Sequence, residues 1–236
     1  MKRLILALQF MTCLPLPAVA ASEADFAGAI RWFPAAGLVV GAVVAGAGRI
    51  AVGIDPWAGA LLALIGWVAV TGALHLDGLG DIADASGAAH ANRARLSAVL
   101  ADPHIGSFGV VAIVLQLLAK LVLLRLVLVA GPWWVLIVVP VLARIGPLVW
   151  TLSLPPLHEG LGTRFRGAIG WGHVVAWSLP VAGAAILAPG LGAGALAIVL
   201  WRLWLRSRIG GISGDGHGAG IELVESACLL GLVLAR

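Results

Sequence analysis

Between Thr71 and Ala85 the chain reads TGALHLDGLGDIADA, which sets Asp77, Asp81 and Asp84 at i, i+4 and i+7. On a helix that spacing lines three carboxylates along one stripe. Stacked like charges repel unless a cation lies among them, and no Lys or Arg stands at i+4 to supply one. An all-oxygen donor set favours a hard divalent cation, Mg²⁺ or Mn²⁺. A solvated helix end would explain isolated aspartates, but it explains three in register poorly. His75, two residues before Asp77, points away from the stripe on a regular helix. It reads equally as a buried histidine bonded to a carbonyl or as a catalytic group brought round by an opening at Gly72 or Gly78.

Three further segments carry compatible chemistry. ADPHIGSFG brings Asp102, His104 and Ser107 to the start of an apolar run. LHEGLGTRFRG brings Glu159, Arg164 and Arg166. GGISGDGHGAGIELVE feeds a glycine-rich loop into a helix, where the backbone N–H groups around Gly214 and Gly216 can face a phosphate. Asp215 sits in that loop, and Glu222 and Glu225 follow at i and i+3 on the helix. A plain flexible linker would need none of these acids. Arg93, Arg95, Arg144, Arg164, Arg166 and Arg208 are available as phosphate clamps. Most of them also serve as membrane anchors, but Arg144 lies inside an apolar stretch, where an ionisable residue is a functional candidate. Lys120 is open to the same reading or to simple snorkelling. Metal-binding carboxylates, a glycine loop and arginines fit phosphoryl or nucleotidyl-type transfer.

The elements that hold these groups are membrane helices. The 236 residues are 61% hydrophobic and 11% charged, with a mean hydropathy of +1.06. A soluble domain carries about 25% charged residues. Apolar runs predict six spans, about 33–53, 57–75, 107–129, 133–152, 173–188 and 191–206, with a last apolar helix at 221–235 that is short for a crossing. The expected fold is an all-α, polytopic membrane bundle forming one domain. Met1 to Ala21 resembles a cleavable signal, but Gln9, Thr12, Pro15 and Pro17 interrupt it, so an uncleaved interfacial or re-entrant helix is expected. Cys13 and Cys228 are expected to be small buried hydrophobes. The net charge of +4 does not indicate nucleic acid.

Counting crossings puts segments 1–32, 76–106, 153–172 and 207–220 on one side. That side gathers most Lys and Arg residues and every acid except Asp55, provided the last helix starts there, and all six histidines lie on or near it. The positive-inside rule makes it cytoplasmic. The opposite side keeps Arg49, Asp55 and a snorkelling Arg125. A transporter would instead need acids at mid-bilayer on facing helices. A CDP-alcohol phosphotransferase also uses membrane aspartates, but its usual spacing is not matched.

At these residues the chain resembles the cobalamin synthases, the adenosylcobinamide-GDP ribazoletransferases. The matching pieces are FPAAG at Phe33–Gly37, TGALHLDGLGDIADA, the Asp102 segment with IGSFG, EGLG at Glu159–Gly162, and GGISGDGHGAGIELVE, in the family's order over nearly the whole chain. The resemblance implies that a ribose hydroxyl of α-ribazole, or of its 5′-phosphate, attacks the phosphorus joined to cobinamide in adenosylcobinamide-GDP. GMP leaves, and adenosylcobalamin or its 5′-phosphate forms. It implies Mg²⁺, with Asp77, Asp81, Asp84 and Asp215 as metal ligands and Glu222 and Glu225 behind them. His75 or Asp102 would deprotonate the hydroxyl. It also implies a bacterial or archaeal inner membrane, with other membrane-associated corrinoid enzymes as partners. Ala85 stands where the family commonly has Gly, Pro103 and His104 where Ser-Arg often follows, Ser213 where Thr is usual, and His217 where an apolar residue is usual.

Overall fold

The computed structural model describes residues 1–88, 104–157 and 161–236. Among them the chain is helical, with a single isolated bridge pairing Pro156 and Ile212. In order, the helices are α1 (Lys2–Met11), α2 (Glu23–Ala27), α3 (Phe33–Val52), α4 (Pro56–Thr71), α5 (Leu74–Ala88), α6 (Ser107–Ala130), α7 (Val135–Ser153), α8 (Leu161–Ala168), α9 (Trp171–Leu187), α10 (Gly192–Arg208) and α11 (Gly214–Leu234).

The starts and stops follow local chemistry. Asp55 caps α4, its Oδ1 accepting from the N–H groups of Trp57 and Ala58 at 2.9 Å, with Pro56 in the first turn. The lone acid of the far side is therefore a helix cap. Gly72 ends α4 at φ 60°, and Ala73 follows at φ 59°. Two left-handed residues in succession turn the chain by 85° into α5. Cys13 N–H donates to the Val70 carbonyl at 2.8 Å, satisfying one acceptor that the helix end leaves open. A Cβ at Gly72 would sit 2.1 Å from Cys13 Sγ, so glycine is required there by space as well as by φ.

Among the described residues, four helices are long and apolar enough to cross a membrane: the continuous run Glu23–Val52, then α6, α7 and α11. The bent pair α4 and α5 makes a fifth if counted as one span. The other two expected spans, α9 and α10, are 17 residues each and fall below that length. The helix Trp171–Leu187 is apolar but short at 17 residues, about 25 Å of rise against about 30 Å of hydrocarbon. The C-terminal helix, expected to be short, instead begins at Gly214 and runs 21 residues. Of the apolar window of α7, 78% is buried, against 22% for α6. So α7 lies at the centre, while α6, α9 and α10 turn residues such as Val111, Leu115, Leu179, Ile186 and Leu200 outward. So many exposed large aliphatics suit a lipid boundary.

The two ends of the bundle are as the crossing count requires. Val127, Gly131, Leu187, Gly190, Leu232 and Arg236 border one cavity, which gathers the far-side turns with the C-terminus. At the other end the Leu157 N–H donates to the Ile212 carbonyl at 3.0 Å and the Ile212 N–H to Pro155 at 2.9 Å. The chain leaving α7 thereby lies beside the chain entering α11. One expectation fails here: Cys13 is exposed, and only Cys228 is buried. The helix-breaking prolines that follow Cys13 keep its segment extended at the surface.

Candidate active site

Helices α5 and α11 cross antiparallel through two glycine contacts. A Cβ on Gly78 would lie 2.9 Å from Asp215 Cα, and one on Gly218 would lie 3.3 Å from His75 Cα. The missing side chains let the backbones close, which brings the aspartate stripe of α5 against the first turn of α11. Asp77 is exposed, Asp81 and Asp215 are half-buried, and Asp84 is buried. Asp77, Asp84 and Asp215 all bear electrostatically on Asp81, each opposing its negative charge. Four carboxylates thus share one neighbourhood, drawn from two helices whose sequence separation exceeds a hundred residues.

The four are not equivalent. Asp84 Oδ2 accepts from the Gly106 N–H at 2.7 Å and Oδ1 from the Gly109 N–H at 2.9 Å. These are first-turn amides of α6, whose own N-cap, Gly106, has no side chain to offer. Asp84 is therefore the N-cap of a neighbouring helix, and its charge also suits the positive helix end. The IGSFG segment gains a physical reason: a Cβ at Gly106 or Gly109 would lie within 2.5 Å of an Asp84 oxygen. Among the described residues, Asp77 and Asp81 have no Lys or Arg within ion-pair distance. At the start of α11, Ser213 Oγ accepts from the Gly216 N–H at 3.0 Å and caps the helix. Gly214 is exposed there and Gly216 is buried.

Below this cluster lies a second set of acids with a different fate. Glu222 and Glu225 are buried, and Lys120 Nζ reaches both, at 2.7 and 2.6 Å. Arg144 donates to the other oxygen of Glu225 and, through its second terminal nitrogen, lies 3.3 Å from His75 Nδ1. Gln116 Nε2 donates at 2.9 Å to the Glu222 carbonyl, its Oε2 and Ser226 Oγ. Lys120 Nζ also stands 4.3 Å from the centre of the Trp67 ring. Two carboxylates and two cations balance inside the bundle, and α4, α5, α6, α7 and α11 all contribute. Because arginine only donates, His75 Nδ1 must accept, so a neutral ring carries its proton on Nε2. That nitrogen is buried without a partner among the described residues.

The sequence-chosen residues therefore separate. Asp77, Asp81 and Asp215 come together at the end of the bundle. Asp84 adjoins them but serves α6. The structure puts Glu222, Glu225, Arg144 and His75 in the buried ion network, which is a neutralised, structural setting. Arg164 pairs with the exposed Glu23 at 3.2 Å, and Arg166 donates to the Leu152 carbonyl at 3.2 Å. Asp102 and Glu159 lie outside the described residues, as do Arg93 and Arg95. The sequence reading does not single out Gln116, and it leaves Lys120 between function and snorkelling; both belong to the buried network. Their signal was a polar residue at i and i+4 within an otherwise apolar helix, which matched the buried i, i+3 acids of α11.

The fit to a divalent cation rests on the donor set. Among the described residues no group of three acidic, histidine or cysteine side chains is placed to hold a metal ion by itself. Magnesium rarely uses an all-protein cage; it takes one or two carboxylates, keeps waters, and completes its shell with substrate phosphate. Asp77, Asp81 and Asp215 supply oxygen donors of the right kind, partly exposed to an incoming phosphate.

No solved structure matches the chain. A protein of Novosphingobium aromaticivorans named adenosylcobinamide-GDP ribazoletransferase is 57% identical over 238 residues, covering 99% of this chain and 97% of its own. Proteins of the same name from Laribacter hongkongensis and Pseudomonas aeruginosa are 51% and 38% identical, over 100% and 99% of this chain and 98% of each relative. The family model described as cobalamin-5-phosphate synthase matches residues 3–233, and with the motifs in place along the whole length, the chain belongs to that family.

Proposed function

We propose that this protein joins adenosylcobinamide-GDP to α-ribazole or α-ribazole 5′-phosphate, releasing GMP, with Mg²⁺ as cofactor. The product is adenosylcobalamin or its 5′-phosphate, the closing step of nucleotide-loop assembly. The observation that carries this reading is the pairing of Asp77 and Asp81 on α5 with Asp215 at the start of α11, in a chain of this family.

In the reaction the ribose hydroxyl oxygen bonds to the phosphorus attached to cobinamide. The bond from that phosphorus to the bridging oxygen of the pyrophosphate breaks, and GMP departs with the electron pair. A bound Mg²⁺ would offset the charge of the pyrophosphate and of the leaving phosphate. Asp77, Asp81 and Asp215 would hold it. The first turn of α11, capped by Ser213, presents backbone N–H groups beside those carboxylates and suits a phosphate oxygen. Among the described residues, the proton acceptors at this cluster are the same carboxylates; Asp102 remains the candidate base from the sequence. The buried ion network fixes the helices that carry the cluster. Placement of the cluster at the basic end of the bundle supports a cytoplasmic working face in the inner membrane, where soluble substrates and other corrinoid enzymes are accessible.

The test is a reconstituted assay. Protein in lipid is mixed with adenosylcobinamide-GDP and α-ribazole, and GMP and the corrinoid product are quantified together. Stoichiometric GMP and cobalamin, abolished by chelation and restored by Mg²⁺, is the expected result. Full activity after complete chelation, or in an Asp77→Asn, Asp81→Asn double variant, would overturn the metal assignment.

A further inference from the structure

Away from the aspartate cluster, a cavity of about 440 Å³ opens where α1, the Glu23–Trp32 segment and α8 meet. Its wall presents three guanidiniums, Arg3, Arg31 and Arg164, against one carboxylate, Glu23. The neutralisation available is weak. Glu23 is 77% exposed and meets a half-exposed Arg164 at 3.2 Å. Arg3 spends part of its charge on Asp25, at 3.3 Å. Arg31 donates one terminal nitrogen to the Ala168 carbonyl at 2.7 Å, while its Nε is buried with no acceptor among the described residues. Buried donors without acceptors are rare in folded chains, and here the shortage is of anions.

The neighbours fix the depth of this cavity. Arg31 is followed by Trp32, which is exposed and packs edge-on against Trp177 at 6.4 Å. Trp177 Nε1 donates to the Arg31 carbonyl at 2.8 Å. Trp171, at the start of α9, is exposed as well. Tryptophans at the ends of membrane helices mark the headgroup level. The floor between the arginines is formed by Ala24 and Ala27. A basic pocket with an apolar floor, beside an aromatic belt, has the chemistry of a lipid headgroup site.

We propose that this cavity binds the phosphate of an anionic phospholipid, with Arg31 as its inner donor and Arg3 and Arg164 closing from either side. The occupied site ties α1 and α8 to the start of α3 and anchors this end of the bundle to the lipid surface.

The experiment uses the full chain in nanodiscs of phosphatidylcholine containing phosphatidylglycerol. Lipids retained per protein after mild delipidation are counted by native mass spectrometry. Wild type should retain phosphatidylglycerol in preference to phosphatidylcholine. Arg31→Gln should weaken that retention about fivefold, and replacing Arg3, Arg31 and Arg164 together on the order of a hundredfold. Arg164→Gln alone, at a half-exposed position, gives a variant whose folding is not at issue and should fall by about the same factor as Arg31→Gln. Arg206→Gln, at the same end but outside the cavity, should retain the lipid as wild type does. Equal loss in Arg206→Gln would reduce the effect to general surface charge and overturn the site, as would wild-type retention in the triple variant. In pure phosphatidylcholine discs, Arg31-dependent binding of inorganic phosphate without phosphatidylglycerol enrichment would assign the pocket to a soluble phosphate and overturn the lipid.

Discussion

Two groups of carboxylates lie next to each other in this molecule and behave oppositely. Asp77, Asp81 and Asp215 crowd together with no cationic partner supplied to Asp77 or Asp81 by the described residues. Glu222 and Glu225, about two and three turns further along α11 from Asp215, are matched one for one by Lys120 and Arg144. The side-chain chemistry is nearly the same. What differs is where the countercharge comes from. Deep in the bundle an unmatched carboxylate would carry a heavy desolvation cost, so the protein provides the cation itself. At the rim, water lowers that cost, and Asp77 and Asp81 stand without a cation among the described residues, as the proposed metal site requires. The comparison teaches that an acid's role in a membrane enzyme is read from its partner, not from its proximity to a motif.

The largest effect should come from breaking the balanced pair. Glu225→Gln leaves Lys120 and Arg144 short of charge in the interior, a loss of about 3–5 kcal/mol. Thermal unfolding in lipid should fall steeply, and adding Lys120→Met should recover part of the loss; strict additivity of the two would mean the pair does not couple. Next, Asp81→Asn should lower GMP release by on the order of a hundredfold while the unfolding midpoint holds or rises, because a repelled charge has been removed. A collapse in stability there would blur the distinction between rim and interior. Asp84→Ala tests the intermediate case. Loss of the cap on α6 should cost about 1–2 kcal/mol, with an accompanying drop in activity because α6 meets α5 at that point. The smallest effect belongs to the exposed pair: Arg164→Gln, facing Glu23, should change folding stability by less than about 0.5 kcal/mol.

Much of this was legible in the residues. The apolar runs and the Asp77–Asp81–Asp84 register follow from local spacing, and the described residues keep both. The glycine loop entering a helix at Asp215 is likewise where it was expected. The family resemblance sets Glu222 and Glu225 behind the metal-binding aspartates, and spacing places them at i and i+3 on one helix. Their true partners come from α6 and α7, 81 to 106 residues away, and no local pattern joins them. Asp84 keeps its place in the stripe, but its amide donors lie 22 and 25 residues further on, beyond the reach of helical spacing. Hydropathy registers an apolar run without its bend at Gly72 and Ala73, and it does not fix the 17-residue lengths of α9 and α10.

The sequence by itself determined that this chain is a helical membrane protein, that its polar chemistry collects at one end, and that three aspartates share a helix face. Those outcomes depend on periodicity and on the cost of placing charge in hydrocarbon, both written in adjacent residues. Only the tertiary structure decided which acids are neutralised and which remain available. That choice is made by close contacts between helices distant along the chain, at Gly78 on Asp215 and Gly218 on His75, where absent side chains allow one backbone to meet another.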